Sequence, residues 1–167
     1  MIGNPVIRKC VATDESAFVS LNLAFMSESF TEDPFWASTK LPTEEEMENI
    51  FREALRMPEY ICIFVIECDD VVIGYANTWL VFSIWSRGLT MTIDDLFVTS
   101  AYRGMGLGEK MMSYLIDFSR QNGYTRIQLH SGLDNQRAHN LYKKMGFIEE
   151  ETLFFMKNLK LLEVGCL

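Results

Sequence analysis

Arg103-Gly104-Met105-Gly106-Leu107-Gly108 is the stretch on which the reading of this chain turns. Three glycines at alternate positions leave the backbone bare, so successive N–H groups can close on an anion. Before it, residues 89–98 read as a strand. After it, Leu107, Met111, Leu115 and Phe118 recur at the helical period to about Asn122, and Gly123 suits the position just past the helix end. A bare turn that opens a helix puts the positive end of the helix dipole behind its amides, which suits a pyrophosphate. Arg103 offers a charged fork to the same anion. Two other phosphate loops are excluded. Glu109 follows Gly108 where a Walker loop needs Lys and then Ser or Thr, and no G-x-G-x-x-G run begins at Gly104 or Gly106.

Working toward the N-terminus, the alternation Thr90, Met91, Thr92, Ile93 breaks at Asp94-Asp95. Two adjacent acids inside a strand predict a bulge, where one extra residue re-aims the side chains. Residues 60–67 and 71–82 form a predicted hairpin around Asp69-Asp70, and Ser86-Arg87-Gly88 turns the chain again. Thr43 and Glu46 form a capping box for a helix with Ile50, Ala54 and Met57 as its apolar stripe, stopped by Pro58. Residues 27–41 read as a polar and aromatic loop with Phe35 and Trp36. Residues 6–11 read as a first strand, and Thr13 or Asp14 caps a helix to about Met26.

Toward the C-terminus, 126–130 alternates as a strand. Asp134 or Asn135 caps a short helix with Ala138, Leu141 and Met145 on one face, closed by Gly146, and 152–159 reads as a last strand. The order βααβββαβαβ predicts an α/β chain, mostly antiparallel in its first half, with one crossover helix.

The length of 167 residues suits one domain, 1–167. Apolar residues at 49% supply a core, and charged residues at 23% argue against disorder. No apolar stretch approaches the ~20 residues that span a bilayer, and residues 1–9 lack the apolar centre of a signal peptide, so the expected compartment is the cytoplasm. A net charge of -8 argues against nucleic acid and is compatible with a cationic acceptor, though solubility alone also accounts for it. Cys62 and Cys68 lie six residues apart on one predicted strand, ~20 Å and too far for a disulfide. His130 and His139 have no ligand-like neighbours, so no metal is expected.

Residues 94–109 followed by 135–147 resemble the GNAT superfamily of acyl-CoA-dependent N-acyltransferases. Its pyrophosphate signature, [Gln/Arg]-x-x-Gly-x-[Gly/Ala], is met by Arg103, Gly106 and Gly108. The resemblance implies a mixed, mostly antiparallel sheet flanked by helices, with splayed parallel strands around the acyl-CoA site. It implies acetyl-CoA as co-substrate, held by Leu96, Phe97 and Val98, by Arg103, Gly104, Met105, Gly106, Leu107, Gly108 and Glu109, and by Asn135. It also implies a homodimer. Trp85 and the acid pair within Ile93-Asp94-Asp95-Leu96-Phe97-Val98 resemble the polyamine N-acetyltransferase branch, whose first acid is Glu where this chain has Asp94. Glu28 falls near an acceptor-binding acid of that branch.

The expected chemistry is acetyl transfer from acetyl-CoA to a primary amine of a small cationic acceptor, polyamine or diamine-like, by direct attack. The acceptor arrives protonated and must lose a proton, which a carboxylate can take. Asp94 is the expected base, with Asp95, Glu28 and Trp85 expected to bind the acceptor; Trp85 can equally lie at a subunit interface. Tyr142, beside the apolar stripe of its helix, is the expected donor of a proton or hydrogen bond to the departing thiolate. A backbone N–H of Phe97 or Val98 can polarise the thioester carbonyl. The alternatives are acetylation of a peptide N-terminus, a lysine or an aminoglycoside, and a non-catalytic acetyl-CoA-binding module.

Overall fold

The computed structural model describes residues 3–32, 40–153, 155 and 157. Its centre is a five-stranded sheet in the order β1 (Val6–Lys9), β2 (Ile61–Cys68), β3 (Val71–Ser83), β4 (Gly88–Val98), β5 (Arg126–Leu129). The first three pairings are antiparallel and β4–β5 is parallel. The β2–β3 hairpin closes on Asp69 and Asp70, both at positive φ (51° and 62°), a turn whose twist matches the strands and which Asp tolerates.

Helices α1 (Glu15–Glu32) and α2 (Glu44–Leu55) cover one face; α3 (Leu107–Gln121) covers the other, with α4 (Gln136–Lys144) after β5. Strand alternation divides the core accordingly. Phe64, Ile66, Met91 and Ile93 meet Leu107, Met111, Met112 and Leu115 of α3. Ile63, Val65, Tyr75 and Phe97 meet Phe18 of α1 and Met47 and Phe51 of α2. Cys10, Cys62 and Cys68 are buried thiols. No helix among the described residues is long and apolar enough to cross a membrane.

The α2 capping box forms as the sequence suggests: the Glu46 N–H donates to Thr43 Oγ1 at 3.2 Å and the Thr43 N–H donates to Glu46 Oε2 at 2.7 Å. Its buried stripe is Met47 and Phe51, whereas Ile50 is exposed. Of the expected stripe, Ala54 packs against the core, but Ile50 gives way to Phe51, whose ring lies 4.9 Å from that of Phe18 on α1. Helix α1 runs past Met26 to Glu32, behind a 3-10 turn at Ala12–Asp14. Phe35 and Trp36 lie outside the described residues. The expected last strand does not form over its described residues: Leu153 and Phe155 are exposed, and no strand pairs with the outer edge of β5.

Candidate active site

The sheet register opens a slot. Thr90, Met91, Thr92 and Ile93 of β4 pair with Arg126, Ile127, Gln128 and Leu129 of β5, and the pairing ends there. From Asp94 to Val98, β4 continues with β3 alone. The edge of β4 that faces away from β3 therefore presents the backbone groups of Leu96 and the N–H of Val98, while Phe97 turns its backbone groups toward Tyr75 of β3 and Arg103 holds the Val98 carbonyl. Splaying follows from the bulge. Asn77 pairs with Asp95 and Thr78 with Ile93, so Asp94 is the extra residue and β4 bends at that point.

The glycine turn lies where β4 hands over to α3. Gly104 and Gly106 have φ of 80° and 77°, a left-handed backbone that side chains rarely adopt, and a Cβ on either would meet nothing within 4 Å. The turn thus faces open space. Gly106 is the N-cap of α3, and the ladder opens with the Lys110 N–H on the Gly106 carbonyl. The N–H groups of the first turn, at Leu107, Gly108 and Glu109, have no intrahelical acceptor. Gly108 backs onto β4, since its Cβ would lie 3.7 Å from Leu96 Cδ2. Met105 is exposed on the turn. Bare amides, a helix N-terminus and open space fit a pyrophosphate.

Three side chains expected at the cofactor are engaged with the protein itself. The Arg103 guanidinium donates to the Val98 carbonyl at 2.8 Å and to Glu28 Oε2 at 2.6 Å, and stacks 5.2 Å from the Phe97 ring centroid. Its fork points to α1, away from the glycine turn. Glu109 takes both its hydrogen bonds from Lys144 at 2.8 Å, tying the start of α3 to the end of α4. The Asn135 side chain accepts from the Ala138 N–H at 3.2 Å and caps α4.

The acids occupy unlike settings. Asp94 is exposed on the bulge. Asp95 is partly buried on the α1 face and accepts from Asn77 Nδ2 at 2.8 Å. Burial raises the Asp95 pKa, the Asn77 hydrogen bond lowers it and the Asp94 charge raises it. Tyr142 lies on the opposite, α3 face, partly buried, with its ring 5.9 Å from Phe147. Burial raises its pKa, so the phenol keeps its proton at neutral pH. Asp95 and Tyr142 thus lie on opposite faces of the sheet.

Trp85 is 93% exposed at the tip of the β3–β4 hairpin. Six strand residues separate Gly88 from Asp94, roughly 20 Å, so the fold does not bring Trp85 to the acids. Phe82 is exposed on the same hairpin. Two residues near the acids were missed in the sequence. Tyr75 and Asn77 share the α1 face with Asp95, and their buried Oη and Oδ1 have no hydrogen-bond partner among the described residues. Register with the acid pair was the available signal for Asn77; nothing local marks Tyr75.

The model of the acetyltransferase (GNAT) family matches residues 23–147. The chain is 32% identical over 78 residues to the thialysine N-epsilon-acetyltransferase of Mus musculus, 46% of this chain and 45% of that protein. It is 29% identical over 94 residues to N-acetyltransferase 8 of Homo sapiens, 56% of this chain and 41% of that protein. The chain spans about half the length of these curated relatives. Among solved structures, a possible acetyltransferase from Clostridium difficile 630 has a TM-score of 0.78 at 15% identity, over 93% of this chain and 98% of that one. An aminoglycoside N-acetyltransferase in complex with CoA has a TM-score of 0.74 at 15% identity, over 94% and 96%. These likenesses show the fold.

Proposed function

The chain belongs to the acetyltransferase (GNAT) family, and from that premise we propose that it transfers an acetyl group from acetyl-CoA to a primary amine of a small cationic acceptor. The observation that carries this reading is the slot where β4 leaves β5 beside a glycine turn facing open space. The amides of 104–109 hold the pyrophosphate, and the edge of β4 at Leu96 and Val98 pairs with the pantetheine arm. The thioester supplies an activated acetyl group. Similarity to an enzyme named for acetylating thialysine at its Nε supports an amine acceptor.

The two faces of the sheet divide the work. Asp95 takes the proton of the acceptor ammonium on the α1 face. Burial raises its pKa above the ordinary carboxylate value, which makes it a stronger base than an exposed Asp. Asp94, at the exposed bulge, supplies charge that draws a cation to the slot. Of the two backbone N–H groups expected to polarise the thioester carbonyl, Phe97 faces β3, so the Val98 N–H takes that role, and the Tyr142 phenol stabilises the departing thiolate on the α3 face. This division exchanges the roles expected for the two acids, because burial marks Asp95 and not Asp94.

The experiment is thiol release from acetyl-CoA against diamines, amino acids with side-chain amines, aminoglycosides and peptide N-termini. Amine-dependent release supports the reading. Tight binding of acetyl-CoA with no release for any amine would make the chain a binding module.

A further inference from the structure

The face of β3 and β4 beneath α1 carries, beside Asp95, two buried oxygen atoms, on Tyr75 and Asn77, that the acetyl-transfer reading does not use. Asn77 and Tyr75 lie two residues apart on β3, and Asp95 and Phe97 stand opposite them on β4, so all four side chains share one face. Tyr75 is fully buried and Asn77 partly so, yet Tyr75 Oη and Asn77 Oδ1 are enclosed without a hydrogen-bond partner among the described residues. Asn77 spends its amide N–H on Asp95, which leaves its carbonyl oxygen as an acceptor. Burial raises the pKa of the Tyr75 hydroxyl, and the charges of Asp95 and Asp94 raise it further, so it stays protonated. Around it are the rings of Phe97 at 6.0 Å, Phe18 at 5.5 Å and Phe25 at 6.5 Å.

Leaving buried polar atoms unpaired is unfavourable, and a folded chain that keeps two of them beside a partly buried carboxylate calls for a ligand that satisfies them. An ammonium has three N–H donors and no acceptor. We infer that Asp95, Asn77 and Tyr75 together take a primary ammonium of the acceptor, one N–H to each. This assignment rests on the proposed acetyl transfer and narrows it. The site discriminates by the number of N–H groups on the nitrogen as well as by charge, and aromatic walls add cation–π attraction. Tyr75 and Asn77 are then specificity-determining residues for primary amines.

The test compares putrescine with its N,N′-dimethyl derivative, which keeps the charge and spacing but has two N–H groups on each ammonium. Wild-type protein should favour putrescine in kcat/KM. Tyr75→Phe removes one acceptor, and should raise the KM for putrescine roughly tenfold and shrink its advantage over the dimethyl derivative. Its affinity for CoA should stay unchanged by calorimetry. Its Tm should stay level or rise, since an unpaired buried hydroxyl has been removed. An unchanged KM, or a clear fall in Tm showing that the hydroxyl is paired within the fold, overturns the inference. Asn77→Ser, which withdraws the amide oxygen, gives the second measurement and should likewise shrink the preference; an undiminished preference in both variants overturns the inference and leaves acetyl transfer standing. Release of no thiol by wild-type protein with either amine overturns the inference and the acceptor reading together.

Discussion

Arg103 closes on Glu28 across the end of the sheet, 2.6 Å from Nη2 to Oε2, while its Nε holds the Val98 carbonyl at 2.8 Å. One side chain thus joins the last residue of β4, the approach to the glycine turn and the far half of α1. Both partners are more than a third exposed, so the ion pair itself contributes little to stability, typically under ~1 kcal/mol. Its effect is geometric. Arg103→Ala frees the Val98 carbonyl and the entry to the turn, and should weaken CoA binding about tenfold, a loss of about 1.4 kcal/mol. Glu28→Gln retains the Val98 bond and the stacking on Phe97, and should change CoA affinity less than threefold. A gain in CoA affinity in Glu28→Gln, measured by calorimetry, would mean that the guanidinium swings to the pyrophosphate once released.

The glycine turn is tested by Gly106→Ala. A Cβ at this φ of 77° strains the backbone by roughly 1–2 kcal/mol and projects into the open space proposed for the pyrophosphate. Tm should fall by a few degrees, at roughly 2–4 °C per kcal/mol for a chain of this size. CoA affinity should fall by much more than the strain explains. A folded variant with wild-type affinity would remove the turn from the cofactor site.

Tyr142→Phe keeps the ring on Phe147 and removes the hydroxyl. If the phenol serves the departing thiolate, kcat should fall of order 10² to 10⁴ with little change in Tm. Pre-steady-state measurement of the chemical step checks this, and an unchanged step would leave Tyr142 as a packing residue of the α3 face.

Asp95 links activity to stability. Its folded pKa is raised, chiefly by burial, so the native state holds this proton more tightly than the unfolded chain does. The stability it contributes is complete below the ordinary carboxylate value and is lost as pH rises through the raised pKa. Asp95→Asn should therefore match wild-type Tm in acid and exceed it at neutral pH, while kcat falls with every acceptor. The acid limb of kcat/KM for the wild type should lie above the usual Asp range. An Asp95→Asn variant less stable than wild type at pH 7, in thermal unfolding across pH, would show that the charge is well satisfied in the fold.

What the sequence disclosed was the part written in local chemistry. Gly104 and Gly106 are legible because only glycine takes those φ values cheaply, the Thr43–Glu46 box because both partners lie within one turn, and the bulge because two adjacent acids contradict strand alternation. Features set by tertiary choice were not. Which apolar row α2 buries depends on α1, so Phe51 displaced Ile50. The direction of the Arg103 fork depends on Glu28, 75 residues away. Trp85 belongs to the same hairpin as the acids, but the length of the strands carries it to the other end. Tyr75 looks like any strand tyrosine until its hydroxyl is seen to lack a partner among the described residues.

The acceptor's charge is the last prediction. Asp94 is exposed at the bulge and Asp95 lies beside it, so the slot carries two negative groups with a net charge of -8 behind them. A diamine can present one ammonium to Asp95 and keep the other near Asp94, whereas a monoamine of equal length cannot. Each ion pair in a partly solvated setting is worth ~1 kcal/mol, or several-fold in kcat/KM. Putrescine should therefore exceed butylamine several-fold at low salt. The advantage should shrink as salt rises, because exposed charges are screened over ~8 Å at physiological ionic strength. Asp94→Asn separates the two acids. If it only draws the cation, the diamine preference should vanish while kcat for butylamine survives. If it is the base, kcat should fall with both amines. Equal kcat/KM for putrescine and butylamine in 10 mM salt, where the Debye length is about 30 Å, would remove the diamine preference and leave acetyl transfer to some other amine.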